Sequence, residues 1–152
     1  MSGMGTNVLA PVRKSVTAGW DTETAFRRFT ARMASWWPLE TRSVGRAEAE
    51  TVVMEGRVGG RLYEKRADGT TSDWGVVTAW EPPGRVAFTW HPGREPDSGQ
   101  SVEVTFVPTD GGTRVDLVHS GWEKLGDTAA EQREQYQSGW DPVLVLYAAA
   151  EG

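Results

Sequence analysis

The central part of the chain alternates apolar and polar residues with a period of two, which predicts β-strands with one apolar face. Val102, Val104 and Phe106 form one such series, and the polar Glu103 faces the other way. The apolar face continues through Val86, Phe88, Trp90, Val115, Leu117 and His119. Turn-forming residues separate the segments, and the predicted strands are 51–55, 61–67, 74–80, 85–91, 102–107 and 113–120.

Two local features refine this prediction of consecutive strands. Val8–Thr17 alternates weakly and contains Pro11, which has no backbone N–H to donate, so we expect an edge strand. Asp68-Gly69 lies between two predicted strands. This pair is typical of a two-residue type I′ hairpin turn, in which both residues need a positive φ.

Helical periodicity occurs on both sides of the strand series. Asp21 can cap the start of a short amphipathic helix. The apolar residues of this helix are Ala25, Phe26, Phe29 and Met33. Trp36-Trp37-Pro38 ends the region, and we expect a second short helical piece before the chain turns there.

Residues 127–150 have no β pattern and predict a long C-terminal helix. Trp140, Leu144 and Tyr147 share one face of it. At Asp141-Pro142, either a second helix begins with Asp141 as its cap, or one helix kinks. A helix of this length, about 30 Å, would cover the apolar face of a sheet.

The predicted fold class is therefore α+β, in one domain over residues 8–150. A curved antiparallel sheet of six to seven strands wraps around the C-terminal helix, and two short helices follow the first strand. Residues 1–7 are small and polar, and we expect a disordered N-terminal tail there.

Composition and charge exclude several classes of function. The 152-residue chain has a net charge of −5 and no basic cluster, which argues against nucleic-acid binding. It has no cysteine, and its histidines and carboxylates are not spaced as metal ligands, so we expect neither a metal nor a cofactor. No apolar run approaches the ~20 residues of a membrane span, and a cytoplasmic location is expected. Arginine far outnumbers lysine, as is typical of GC-rich bacterial genomes.

Aromatic side chains are the main candidates for the wall of a binding cavity. The chain has 8 Trp, and wide rings packed between a sheet and a helix leave shaped gaps more readily than aliphatic side chains do. The predicted wall consists of Trp74, Trp80, Phe88, Trp90, Phe106, Trp122, Trp140, Leu144 and Tyr147. The alternative for each ring is a place in an ordinary filled core.

His119 and Glu64 are the polar candidates for the same cavity. His119 shares the apolar face and could orient a ligand or act as an acid or base, but a hydrogen-bonded core histidine is the favoured alternative. Glu64 lies on a strand with two mixed faces. Pointing inward, it would need a partner such as Arg57, Arg66 or His119; a surface ion pair is the favoured alternative.

Several local motifs resemble those of the SRPBCC superfamily (START-like, birch-pollen-allergen-like), and within it the branch of activator of heat-shock-protein ATPase homologues. These motifs are Trp36-Trp37-Pro38, Glu55–Arg61, Tyr63-Glu64, Trp74-Gly75, Trp80–Pro83, Gly112-Thr113, His119–Trp122 and Gly139-Trp140. The resemblance covers residues 8–150 and implies a helix-grip fold, often with a cavity for an apolar small molecule. The superfamily includes carriers, cyclases, hydrolases and co-chaperones, so the resemblance carries no catalytic residues over to this chain.

The sequence thus favours binding of an apolar or amphipathic small molecule, such as a lipid, between the sheet and the C-terminal helix, without covalent chemistry. One alternative is an enzyme of the cyclase or hydrolase kind that uses His119 as acid or base. The other is a chaperone-associated protein-binding module, which would need an exposed apolar patch. We expect a monomer or a homodimer.

Overall fold

One antiparallel sheet of seven strands and two α-helices make up the computed structural model, which describes residues 9–95 and 99–149. The strands are β1 (Val12–Ala18), β2 (Ala49–Met54), β3 (Arg61–Arg66), β4 (Thr71–Glu81), β5 (Arg85–Trp90), β6 (Gln100–Thr109) and β7 (Gly112–Ser120). The α-helices are α1 (Thr22–Thr30) and α2 (Ala129–Ala149). Short 3-10 segments are Met33–Ser35, Arg46–Glu48 and Trp122–Thr128. The predicted tail at 1–7 lies outside the described residues.

The sheet has the strand order β1-β7-β6-β5-β4-β3-β2, so β1 and β2 are its edges. The prediction of an edge strand at the start of the chain is therefore confirmed. In the middle of the sheet, Val104 lies opposite Val86 on one side and Leu117 on the other, and all three are fully buried. The two-residue alternation thus identified the apolar face correctly, because these strands have one face packed and one face toward solvent.

The turn between β3 and β4 differs from the predicted type I′ turn. Gly69 has φ +90°, but Asp68 does not have a positive φ. The N–H of Gly69 donates to the Arg66 carbonyl at 2.9 Å, and Arg66 N–H pairs with the Thr70 carbonyl at 2.8 Å. The connection is thus a three-residue loop with glycine in the left-handed position, a common hairpin alternative. The Asp68 side chain stabilises it by accepting from Thr70 N–H at 2.9 Å.

Both helices pack on the apolar face of the sheet. Asp21 caps α1 as predicted, since its carboxylate accepts from Thr24 N–H at 2.8 Å. Tyr147 on α2 donates its hydroxyl to the Ala25 carbonyl of α1 at 2.7 Å, and its ring contacts Phe29. Burial raises the pKa of the Tyr147 hydroxyl, which therefore stays protonated as the donor. The predicted helix-grip arrangement, a sheet around a long C-terminal helix, is confirmed.

Helix α2 runs as one element from Ala129 to Ala149 with Pro142 inside it. The alternative in which Asp141 caps a separate second helix is therefore wrong. The Asp141 side chain instead forms a 3.0 Å ion pair with Lys14 of β1. None of the helices within residues 9–95 and 99–149 is long and apolar enough to cross a membrane.

Candidate functional site

A cleft of about 480 Å³ opens at one end of the grip. It lies between α2, the turn after β5 and residues 41–46, which we call the lip. Its walls are formed by Trp37, Thr41, Arg42, Ser43, Val44, Arg46, Trp90, Pro92, Gly93, Gln132, Gln135, Tyr136, Gly139, Trp140 and Val143. The volume lies within the range of about 300–1,000 Å³ that small-molecule sites occupy.

Three indoles line this cleft. Trp37, Trp90 and Trp140 contact one another, with ring centroids 5.6 to 5.9 Å apart. All three are at most 7% exposed, so their positions are set by the core. Each tilted or edge-on ring pair of this kind stabilises a fold by about 0.5–1.5 kcal/mol, in addition to the free energy gained by burying its apolar area. The cleft therefore has a rigid, flat-sided aromatic wall.

Tyr136 adds a polar group to this wall. The indole N–H of Trp90 donates to the Tyr136 hydroxyl oxygen at 3.0 Å. Because this hydroxyl already accepts, its own proton is the group it can offer to another partner. The half-buried Tyr136 lines the cleft, so it can donate a hydrogen bond to a ligand oxygen.

Glu64 holds the lip in place. Its side chain is fully buried, and its two oxygens accept from Val44 N–H at 2.6 Å, Gly45 N–H at 2.7 Å and the Trp74 indole N–H at 2.7 Å. The surface ion pair favoured by the sequence is therefore wrong. The inward partners predicted from the sequence, Arg57, Arg66 and His119, provide none of these bonds, because the donors are two backbone amides and an indole. A carboxylate with three such donors is a strong structural anchor.

Further hydrogen bonds fix the rest of the lip. The Trp37 indole donates to the Arg42 carbonyl at 2.8 Å, and Ser43 accepts from Arg46 N–H at 2.7 Å. Arg46 has φ +49°, a left-handed conformation that is unfavourable for a residue with a side chain. Strained backbone of this kind persists only where its surroundings impose it, and it is concentrated at functional sites.

His119 lies behind this wall as a satisfied core histidine, the favoured alternative at the level of sequence. It is fully buried, its Nδ1 accepts from the Trp140 indole at 3.1 Å, and its Nε2 lies 3.3 Å from the Gln100 side-chain oxygen. These contacts assign the neutral tautomer with the proton on Nε2. Burial lowers the pKa of His119 to about 3, so the ring is neutral near pH 7.

A second cleft of about 450 Å³ lies beside α1 and is lined mainly by apolar side chains. Trp80 lines it with Phe26 and Met54, and Gly56 leaves room for the indole, since a Cβ at this glycine would lie 2.9 Å from the Trp80 ring. Trp80 therefore faces a different space from Trp90 and Trp140.

The residues predicted for the cavity, both the wall and the two polar candidates, thus fall into three groups. Trp90 and Trp140 line the first cleft, and Trp80 lines the second. The others are buried and absent from the walls of both clefts: Glu64, Trp74, Phe88, Phe106, His119, Trp122, Leu144 and Tyr147.

Sequence reasoning missed the lip, the indole of Trp37, Pro92 and Gly93 of the turn after β5, and four residues of α2: Gln132, Gln135, Gly139 and Val143. It also missed Tyr136, although a signal for this residue existed. Tyr136 lies four residues before Trp140 and thus continues the helical series by one turn. No grouping of His, Cys, Asp and Glu that could hold a metal ion occurs within residues 9–95 and 99–149.

Comparison with known proteins places the fold among characterised families. A sequence model of the family described as "Activator of Hsp90 ATPase homolog 1-like protein" matches residues 21–145. Among solved structures, the chain is similar to one described as an anthrahydroquino-gamma-pyrone synthase, Txn09, complexed with SUM. The identity is 35%, the alignment covers 93% of this chain and 96% of that one, and the TM-score is 0.64.

Two more distant structures share the fold. A protein of Bacillus halodurans, BH1534, is 23% identical over 95% of this chain and 99% of its own, with a TM-score of 0.62. The Aha1 dimer from Colwellia psychrerythraea is 18% identical over 95% of this chain and 100% of its own, with a TM-score of 0.63. None of the curated protein sequences compared with the chain matches it significantly.

Proposed function

This chain belongs to the Activator of Hsp90 ATPase homolog 1-like family, and we propose that it binds a planar aromatic small molecule in the first cleft. The observation that carries the proposal is the wall of three mutually packed indoles beside a tyrosine hydroxyl with a proton to donate. Flat rings provide contact area, and one oriented polar group provides direction.

The position of the proposed site differs from the one that the sequence favoured. The middle of the grip is occupied by side chains such as Trp74, Trp122 and Phe88, each at most 1% exposed. The proposed ligand therefore enters at one end, between the lip and α2, rather than lying along the helix. An apolar or amphipathic ligand of about this volume would stack on the indoles and leave its polar edge near the lip.

Titration with N-phenyl-1-naphthylamine, a neutral aromatic dye whose emission rises in apolar surroundings, tests this proposal. Gly139 lies on α2 in the cleft wall, and a side chain there would project towards the lip, 3.2 Å from Arg42 Nη1 at its Cβ. We expect saturable binding to the wild type and at least about tenfold weaker binding to Gly139→Leu, since a leucine fills the space that the ring needs.

The matched control is Ser138→Leu, which adds the same side chain at an exposed neighbour on the same helix. We expect it to bind the dye as the wild type does. Absence of saturable binding to the wild type, or equal weakening by the two leucines, would contradict the proposal.

A second candidate function is synthesis, because the structure at 35% identity is described as a synthase. If this chain acts on a fused-ring aromatic substrate, Tyr136 is the group placed to donate a proton or a hydrogen bond in the cleft. The sequence names His119 as the acid or base of such an enzyme. In the structure His119 is neutral and is enclosed by Trp140, Trp122 and Gln100, so it does not face the cleft.

Incubation with hydroxylated anthracene-type compounds, followed by mass spectrometry, tests this candidate. Conversion by the wild type that is lost in Tyr136→Phe, with dye binding retained, would support catalysis. Conversion by neither protein, with dye binding intact, would leave binding as the function. Whether the chain is a monomer or a homodimer remains a prediction for light scattering after size-exclusion chromatography.

A further inference from the structure

The charge around the first cleft differs in sign from that of the whole protein. The chain has a net charge of −5, yet the described residues that line the cleft include Arg42 and Arg46 and no acidic side chain. Both arginines belong to the lip, which Glu64 and Ser43 hold in a fixed conformation. Two cations therefore stand at the entrance of an aromatic site.

These two guanidinium groups have no ion-pair partner within residues 9–95 and 99–149. Among the other described arginines, Arg61 is paired with Asp73 at 2.6 Å and Arg85 with Glu103 at 2.7 Å, whereas exposed residues such as Arg13 have no ion pair; what distinguishes Arg42 and Arg46 is their place at the cleft. Arg42 also extends towards α2, since its Nη1 lies 3.2 Å from the point that a Cβ of Gly139 would occupy. Its charge thus lies over the cleft itself.

We infer that the ligand of this cleft is an anionic aromatic compound, with a carboxylate, enolate or phenolate oxygen that meets Arg42 and Arg46. The inference rests on the proposed function and narrows it to a class of ligand. In this arrangement the rings stack on the indoles, while Tyr136 donates to an oxygen at the same edge. An arginine offers a planar pair of N–H donors to such an oxygen and stays charged at any ordinary pH.

Strain at Arg46 is an independent observation that agrees with this role. A residue other than glycine at φ +49° is uncommon, and its conformation is imposed by the Ser43 hydrogen bond and the Glu64 anchor nearby. The fold thus maintains an unfavourable backbone conformation at the position that carries the second charge of the cleft.

A pair of dyes with the same ring system tests the inference. 1-Anilinonaphthalene-8-sulfonate carries one negative charge, and N-phenyl-1-naphthylamine carries none. At low ionic strength we expect the anionic dye to bind at least about fivefold more tightly than the neutral dye. Arg42→Gln and Arg46→Gln should each weaken the anionic dye about two- to fivefold and change the neutral dye less than about twofold, the size of exposed charge interactions.

The control is Arg13→Gln, which removes the same charge from the outer face of β1, where residue 13 alternates with the buried Val12. We expect this variant to bind both dyes as the wild type does. High salt should reduce the preference for the anionic dye, because exposed charges are screened within about 10 Å at 0.1 M.

The outcomes separate the two proposals. Binding of the neutral dye without preference for the anionic one, or equal effects of Arg13→Gln and the lip variants, overturns the inference and leaves the proposed function standing. Absence of saturable binding of the neutral dye to the wild type overturns the proposed function and the inference with it. Both proposals are supported if the wild type and Arg13→Gln bind the anionic dye more tightly than the neutral dye, and Arg42→Gln and Arg46→Gln lose this preference.

Discussion

Acidification should destabilise this protein through one side chain, His119. In the folded state the buried ring has its pKa lowered to about 3, whereas in the unfolded chain it titrates near the ordinary value of about 6.5. Below pH 6.5 the unfolded state therefore binds a proton that the folded state does not. The free energy of unfolding must fall as the pH decreases from about 6.5 towards 3.

The size of the effect follows from these two pKa values. Between pH 7.5 and 5.0 the unfolded histidine goes from almost fully neutral to almost fully charged, while the folded one stays neutral. The resulting loss is about 2 kcal/mol, at about 1.36 kcal/mol per pH unit over the effective range.

Urea unfolding followed by tryptophan fluorescence at the two pH values measures this loss. His119→Gln keeps an amide that can accept and donate but does not titrate there, so its stability should be nearly equal at pH 7.5 and 5.0. Val115→Ala, a truncation of a fully buried residue on the same strand, should be less stable yet lose about the same 2 kcal/mol as the wild type. An equal pH-dependent loss in His119→Gln would refute the assignment.

Two further substitutions test other parts of the structure. Glu64→Gln places an NH₂ group among three N–H donors and should lower the free energy of unfolding, measured with urea, by about 2–4 kcal/mol. The control Glu50→Gln changes an exposed side chain and should alter it by less than about 0.5 kcal/mol; equal stability of the two variants would contradict the role of Glu64 as an anchor. Gly75→Ala would place its Cβ 1.8 Å from the Thr89 carbonyl oxygen and should lower the free energy of unfolding by about 3 kcal/mol or more. The control Gly19→Ala has open space around its Cβ and should have little effect; a Gly75→Ala variant as stable as the wild type would show that β4 and β5 can move apart.

The strands of the sheet were predictable from sequence because one face of the sheet is packed against the helices and the other is exposed to solvent. In β6 and β7 this requirement places apolar residues at the alternate positions 102, 104, 106, 115 and 117, and buried polar residues at the strand ends. The β3–β4 turn was harder, since Asp-Gly is compatible with more than one loop length. There the Asp68 side chain favours the longer loop by accepting from Thr70.

The cleft was not predictable to the same degree, because loops have no periodicity and its contacts are non-local. Glu64 shows why: a pattern of hydrophobicity treats a carboxylate as exposed, yet its partners lie 19 and 20 residues away in the lip. The alternation of the strand did not decide its direction, because Leu62 and Tyr63 place a large side chain on each face. In the structure Leu62 is fully buried, and Glu64, two residues later, shares its inward face.

The buried polar groups explain how an aromatic site can stay open in so densely packed a fold. Indoles left to pack freely would close a gap, since each buried ring gains contact area. Here, however, each indole N–H donates a hydrogen bond. Trp37 donates to the Arg42 carbonyl, Trp140 to the His119 ring and Trp90 to the Tyr136 hydroxyl. Closing the cleft would leave such donors unsatisfied, at about 1–3 kcal/mol each. Polar contacts thus fix the orientation of the aromatic wall, while Glu64 fixes the lip opposite it, so that the cleft is formed before any ligand arrives.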